Sequence, residues 1–417
     1  MAGSDDGGAQ KDAPADSTKK SPEHIPNLGF KIYDGEEGQF YMRFFTYARY
    51  LNQRDLEPTY TDYFGRVSKV KQRQDIQLNK FFLPFSGWFL DPSFRFYLYV
   101  WSSNASQGDP AQVVGAGNVS YKFSDNFTFG GGITSLPSTR STEGQFPYWL
   151  SVDSRHIADE FFRGSYTSGF WIKGEVVDRT GYMVMIANNL STLGVSASQL
   201  DNVLNTLSLM FNWMPTTGEF GPFAAFGDFE GHENVATRFG VHYTTSTEDQ
   251  QSQPGTDGIE NSQVRLTDGT VIFTPEALGP GIDVNHVRYE MSTIDAAVKY
   301  AGLALEGEVY RRRLTDFAGT NTAGIGEIDD RGFQIQASGM AVPKILQIYV
   351  GESQILGFYG DGADLRVGLN YFPFRKRGVR VNLEWLRLHD CPVGYTAVPY
   401  PVGGNGDVFH ANLEMNF

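Results

Sequence analysis

The chain has 417 residues, of which 41% are hydrophobic and 14% aromatic, and no stretch approaches the roughly 20 consecutive apolar residues of a membrane-spanning helix. A formal net charge of −14 and a pI of about 5.0, with no dominant basic stripe, exclude nucleic acid as a partner. Cys391 is the single cysteine, so no intrachain disulfide forms, and neither a metal nor a cofactor is expected.

The first segment, Met1–Lys20, is polar and lacks an apolar signal-peptide core. The expectation is that a secretion signal has been removed ahead of this segment and that Met1 is not native. Composition predicts a disordered polar tail over residues 1–28 and one structural unit over 29–417.

From residue 38 onward the dominant signal is period-2 alternation, which places one apolar and one polar face on each strand. Phe94, Phe96, Leu98 and Val100 alternate with Arg95, Tyr97, Tyr99 and Trp101. Leu365, Val367, Leu369 and Tyr371 alternate with Arg366, Gly368 and Asn370. Phe409, Ala411, Leu413, Met415 and the terminal Phe417 alternate with His410, Asn412, Glu414 and Asn416. Strands are predicted over 38–50, 66–82, 92–102, 112–124, 126–135, 165–177, 179–189, 204–214, 234–245, 287–299, 302–314, 330–342, 345–354, 362–374, 378–389 and 407–417. Segments of about 10 residues suit a tilted strand crossing a bilayer.

The connections alternate in length. Ser124–Asn126, Val177–Arg179, Pro343–Lys344 and Phe374–Gly378 read as tight turns. Leu136–Arg163, Ser191–Leu204, Ser246–Asn285, Thr315–Asp329 and Asp390–Gly406 read as long loops. Short turns on one side and long loops on the other are the pattern of a transmembrane antiparallel β-barrel. A closed barrel pairs every backbone group, as lipid demands. The mean hydropathy of −0.32 fits a wall whose alternate residues face a wet lumen. The fold expectation is therefore all-β, a barrel of about 16 strands with both termini on the periplasmic side. Pro215–Glu233 is then an unusually long periplasmic connection, and if Gly221–Phe229 is instead a strand, the fallback is 18.

Several segments resemble porins of the phosphate-selective porin O and P family: Ala158–Phe162 (ADEFF), Arg163–Gly174 (RGSYTSGFWIKG), Asn188–Val195 (NNLSTLGV), Ala236–Thr244 (ATRFGVHYT) and the terminal Phe417. The resemblance spans residues 30–417 and rests on scaffold strands and loop roots. It implies a homotrimeric diffusion channel of the bacterial outer membrane, in contact with lipid and lipopolysaccharide, with an inward-folded third loop at 136–163. Named members of that family favour anions through inward arginines and lysines; phosphate itself does not follow, because substrates vary across the family.

Parity assigns Arg43, Arg49, Arg95, Lys122, Lys173, Arg238, Arg312, Arg366 and Arg380 to the lumen. A cationic row in a low-dielectric constriction concentrates anions. Asp75, Glu175, Glu306, Glu308, Glu384 and Glu414 share that parity, so the alternative is a mixed polar wall. In Leu136–Arg163, a short helix over Asp153–Phe162 with Asp153 as N-cap is predicted, and Arg140, Arg155, His156, Asp159, Glu160 and Arg163 are its candidate eyelet residues. Tyr47, Tyr97, Tyr99 and Trp101 suggest an aromatic track beside the cations. Arg311–Arg313 is a basic run for lipid phosphates or a solvated rim.

The functional expectation is passive diffusion of small hydrophilic solutes or ions. No histidine sits in a nucleophile-elbow or H-E-x-x-H setting, which argues against an enzyme. The remaining alternative is an adhesive or scaffold barrel acting through its loops.

Overall fold

A computed structural model describes residues 24–25, 28–103, 112–191, 204–250, 259, 261–395 and 397–417. Among them, sixteen antiparallel strands close into one barrel: β1 (Gly38–Met42 and Phe45–Leu56), β2 (Gln74–Phe89), β3 (Asp91–Ser103), β4 (Gln112–Lys122), β5 (Thr128–Ser135), β6 (Tyr166–Gly174), β7 (Thr180–Ala187), β8 (Thr206–Trp213), β9 (Ala236–Asp249), β10 (Asp283–Tyr300), β11 (Leu303–Thr320), β12 (Ile328–Val342), β13 (Leu346–Gly357), β14 (Gly360–Tyr371), β15 (Val379–Cys391) and β16 (Gly404–Asn416). Each strand pairs with its sequence neighbours, and β16 closes on β1 with Asn416 opposite Phe45 and Asn412 opposite Arg49. Phe44 and Phe417 exchange backbone hydrogen bonds of 2.8 and 2.9 Å at the seam. Most of the expected disordered tail, residues 1–23 and 26–27, lies outside the described residues; His24–Ile25 pairs with Gly29 and Phe30, and Gly29–Gly35 extends the sheet beside Gly38–Met42.

The alternation lays a continuous apolar belt on the outer wall. Phe96, Leu98, Phe239, Val241, Ile294, Val309, Ile335, Val350, Val367, Leu383, Phe409 and Leu413 all point outward. An apolar surface encircling the whole molecule is far larger than a water-soluble monomer exposes, and it matches a lipid environment.

Several boundaries differ from the sequence expectation. The second strand is Gln74–Phe89 rather than 66–82, because Thr59–Thr61 and Val67–Lys69 form a small hairpin of their own in the first long loop. The break in β1 at Arg43–Phe44 lies opposite Pro84 of β2, which accepts from the Arg43 N–H at 2.9 Å but has no N–H to return. β11 runs six residues past its expected end, so the loop expected at Thr315–Asp329 shrinks to 321–327. The extension is held by pairing with β10, Thr315 opposite Arg288 and Thr320 opposite Asp283. Just before it, cross-strand ion pairs join β11 to the β12 side: Arg311 with Asp329 at 2.7 Å and Arg313 with Glu327 at 2.5 Å on the outer face, and Arg312 with Asp330 at 2.6 Å on the inner. The basic run at Arg311–Arg313 is thus neutralised by protein carboxylates. Gly221–Phe229 is not a strand; it holds one 3-10 turn at Pro222–Ala224 within the connection from β8 to β9, and the count stays at sixteen.

The rim carrying the chain termini (the near rim) has otherwise short turns, and the opposite far rim carries the long connections. The core lies inside the barrel toward the far rim. There Ile157, Phe161 and Phe162 of the 136–165 loop pack on Tyr289, Tyr310, Leu314, Ile328 and Ile355 of the wall, with Val264, Leu266, Ile272, Val393 and Tyr400 closing over them.

Candidate constriction site

The connection between β5 and β6 runs inward across the lumen and packs on the inner faces of β9–β16 and β1. It carries one helix, α1 (Ile157–Phe162), shorter than the expected 153–162, with His156 at the N-cap position. Asp153 is not the cap, because it is engaged elsewhere: Lys80 donates to it at 2.9 and 3.0 Å and the Tyr47 hydroxyl at 2.9 Å. Burial pushes the Asp153 carboxyl up, but Lys80 and Tyr47 more than offset this and hold it below the usual range. The barrel wall caps α1 instead. Asp364 accepts from the Ile157 N–H at 3.1 Å and Ser353 from the Ala158 N–H at 3.2 Å, satisfying donors that a helix start leaves open. His156 Nδ1 lies 2.9 Å from Asp364, and Gly351 leaves room for its ring, since a Cβ there would collide with Nε2.

The loop is tied down on many sides. Arg49 donates to Val152 O at 2.5 Å, Arg380 to Trp149 O at 2.7 Å, Asn370 to Leu150 O at 2.9 Å, and Arg366 to Arg155 O at 2.7 Å. Wall arginines thus spend their donors on loop carbonyls, which satisfies a buried irregular backbone. Between the loop and β12–β14 there is a cavity of about 30 Å³, room for water, lined by Ser154, Arg155, His156, Gln336, Tyr349 and Arg366.

A second segment enters from the near rim. Residues 214–235 fold into the barrel to meet the first loop. Phe226 N–H donates to Tyr148 O at 3.0 Å, and Gly227 N–H to Glu306 at 3.2 Å. Gly227 has φ +69, and an added Cβ would press on Gln347, Leu150 and Ser338. Lys299 is buried with its amine on Phe220 O (2.8 Å) and Ala225 O (2.5 Å). Asp228 anchors the far side of the segment, accepting from Gly302 N–H at 2.8 Å and His232 N–H at 3.0 Å.

The thirteen residues singled out from the sequence fall into two groups. Arg49, Arg140, Arg155, Asp159, Glu160, Arg163, Arg238, Arg366 and Arg380 lie where the loop meets the wall. Arg140 pairs with Glu306 at 2.8 Å, Arg155 with Glu160 at 3.3 Å, Arg163 with Glu160, Arg238 with Glu143 at 2.5 Å and with Asp295, Arg366 with Asp364 at 2.7 Å, and Arg380 with Glu414. Arg49 bonds Asn412 at 2.7 Å, and Asp159 accepts from Thr139 at 2.9 Å. Seven of these arginines share the lumen side, but they do not form an exposed ladder, because inward-facing carboxylates or loop carbonyls take up their donors. Burial pushes Glu160 up, while Arg163 and Arg155 more than compensate and hold it below the ordinary glutamate range.

In the second group, Arg43 lies at the break in β1, where Tyr148 of the loop meets it, and Arg95, Lys122 and Lys173 lie on the other half of the wall. There the lumen-facing Tyr97, Asn118, Met183, Met210 and Asn212 are only half-buried, and Arg95 and Lys173 are exposed. Lys122 pairs with Asp125 at 2.5 Å. Among the described residues no carboxylate lies within ion-pair distance of Arg43, Arg95 or Lys173; Arg43 bonds Asn416 and Tyr148, Arg95 bonds Pro92 O, and Arg95 is the charge acting on Lys173. Of the expected aromatic track, Tyr47 and Tyr99 are buried while Tyr97 and Trp101 keep partial exposure.

Glu143, His242 and Asp295 bring three ligand-type atoms within 4.8 Å of one another. The Arg238 guanidinium already bonds both carboxylates, and His242 Nδ1 faces Pro137 O at 3.0 Å, so this cluster holds its own cation rather than a metal. Sequence reasoning missed Glu143, Lys80, Lys299, Arg377 and the inward Phe220, Phe223 and Phe226. The clustered Phe and Gly in Glu219–Phe229, too apolar for a solvated connection, were the available signal.

No family model matches the sequence, and no curated protein matches it. Among solved structures, the anion-selective porin from Comamonas acidovorans aligns with a TM-score of 0.55 at 9% identity, over 91% of this chain and 100% of that one. The outer membrane channel DcaP of Acinetobacter baumannii aligns at 0.55 and 7% identity, over 92% and 99%. OmpT, an outer membrane protein of Vibrio cholerae in its trimer form, aligns at 0.54 and 12% identity, over 92% and 100%. Identities this low speak for architecture, and by architecture the chain is similar to bacterial outer-membrane porins: a closed sixteen-stranded antiparallel barrel with a loop folded across its lumen.

Proposed function

We propose that the protein is an outer-membrane porin, a passive channel for small hydrophilic solutes and ions with a preference for anions. The observation that carries this reading is the division of the lumen. Loop 136–165 and segment 214–235 fill the side of β9–β16, leaving the inner faces of β3–β8 as the accessible wall. That wall presents Arg95 and Lys173 without acidic partners, with Arg43 at its border on β1, and an unpaired cation in a narrow, low-dielectric passage attracts anions. The 136–165 loop is the constriction, and its tip near Glu143 and Gly144, held by Arg238 and Asn212, forms the edge of the eyelet.

In this reading the near rim is periplasmic, the far rim meets lipopolysaccharide, and the apolar belt meets lipid. A homotrimer is supported by the trimeric form of the Vibrio cholerae protein. Selectivity for phosphate itself, which a ladder of inward arginines would supply, does not extend to this chain, because Arg238, Arg312, Arg366 and Arg380 are neutralised. The test is single-channel conductance in a planar bilayer under a salt gradient. Stepwise conductance with a reversal potential favouring Cl⁻ is expected. Cation preference would remove the anion reading, and no conductance from well-folded protein would favour an adhesive or scaffold barrel.

A further inference from the structure

At the near end of the lumen, three chain segments build a site that a general diffusion channel does not require. The ring of Phe223, from the inward segment, stacks on Tyr148 of the constriction loop with centroids 5.8 Å apart and an interplanar angle of 21°. The Arg43 guanidinium of β1 lies 5.7 Å from the Phe223 ring and 5.9 Å from the Tyr148 ring. It donates to Asn416 at 3.0 Å and to the Tyr148 hydroxyl at 3.4 Å, both neutral acceptors. Behind it, Arg377 of the 372–378 turn lies 5.1 Å from the same Tyr148 ring, with its Nε 3.5 Å from the exposed Glu230.

Phe223 is the unusual member. It is 45% exposed, although the segment around it buries Phe220, Phe226 and Phe229. It has φ +54 and is followed by Ala224 at φ +48, a left-handed pair that residues with a Cβ rarely adopt. Strain of this kind persists only where surrounding contacts enforce it. The enforcing contacts are present: Ala224 N–H to Gly221 O at 2.9 Å, and Lys299 on Phe220 O and Ala225 O on either side. The result is an aromatic face held beside an acid-free guanidinium.

We propose that Arg43, Phe223 and Tyr148, with Arg377 behind them, form a binding subsite for small aromatic carboxylates passing through the channel. The guanidinium takes the carboxylate and the exposed Phe223 ring takes the apolar ring. An inorganic anion or an aliphatic carboxylate of the same charge uses the cation alone. The inference deepens the porin reading by naming a substrate class, but binding is measurable without transport.

The test is calorimetric titration of the folded full-length protein in detergent with sodium benzoate and, at equal ionic strength, sodium acetate, alongside benzoate block of bilayer conductance. Benzoate is expected to bind about fivefold tighter than acetate. Phe223→Ala should bring the two affinities together, Phe223→Leu should fall between, and Arg43→Gln should weaken both. Heat-modifiable migration verifies that each variant is folded. Equal binding of benzoate and acetate by the unaltered protein, or an unchanged benzoate-to-acetate ratio in folded Phe223→Ala, overturns the subsite even if the channel conducts. Benzoate preference in a protein that does not conduct supports the subsite and removes the porin reading instead.

Discussion

Arg140, in the loop that crosses the lumen, and Glu306, on β11, form an ion pair at 2.8 Å in which both side chains are 2% exposed. The same carboxylate accepts from Gly227 N–H of the near-rim segment, and the Arg140 guanidinium lies 4.2 Å from the Phe226 ring. One ion pair thus joins the loop, the wall and the inward segment.

Removing one partner of a buried pair strands the other charge. Arg140→Met should destabilise the folded barrel by about 3–5 kcal/mol, whereas Arg140→Met combined with Glu306→Met should recover most of that loss. The temperature at which heat-modifiability is lost checks both.

Charge selectivity should follow the accessible wall and not the arginine count. Arg95→Gln and Lys173→Gln should each lower the Cl⁻-to-cation permeability ratio by about two- to fivefold, the scale of one unit charge a few ångströms away in a wet channel. Lys122→Gln should change it less, because Asp125 already neutralises that amine. Reversal potentials under a salt gradient distinguish these outcomes; equal shifts for all three variants would contradict the assignment.

The foot of the constriction loop should loosen in acid. Burial raises the Glu160 carboxyl, but Arg163 and Arg155 outweigh it and leave the folded value below the ordinary 4.5. A depressed value stabilises the fold fully above the unfolded range, and that contribution disappears as pH falls through the folded value. Conductance noise and loop proteolysis should therefore be flat from pH 7 to about 5 and rise below about 4. Glu160→Gln should show the loosened state already at pH 7.

Asp228 should hold the inward near-rim segment in place. It accepts from the backbone of Gly231, His232 and Gly302, and although burial raises its carboxyl, His232 and these N–H groups bring it below the usual range. Asp228→Asn should weaken this anchorage by about 1–3 kcal/mol. Hydrogen exchange in residues 215–235 should speed up while β13–β15 stay protected; uniform exchange across the barrel would mean that the segment is not an independent unit.

Much of the barrel was legible in the chain. The period-2 pattern overlapped all sixteen barrel strands, although the second runs over Gln74–Phe89 rather than 66–82, and parity assigned Arg238, Arg366, Arg380, Glu306, Glu384 and Glu414 to the inner face they occupy. Strand ends were less legible: the six extra residues of β11, Thr315–Thr320, show no clean alternation, and what keeps them in the sheet is backbone pairing with β10, where Thr315 lies opposite Arg288, Ala318 opposite His286 and Thr320 opposite Asp283. The Asp153 cap was misread for a related reason. A local N-cap motif competes with any distant partner, and Lys80 and Tyr47, more than 70 residues away, win the side chain.

The sequence by itself determined the wall: strand number, the face each residue takes, and an exterior suited to lipid. These follow from a two-residue backbone repeat and from the requirement that every peptide group be paired. Only the tertiary structure decided which inward charges remain free. Arg238 meets Glu143 and Arg140 meets Glu306 across 95 and 166 positions of chain, so whether a lumen cation is neutralised depends on where residues 136–165 and 214–235 come to rest, and no local pattern encodes that position.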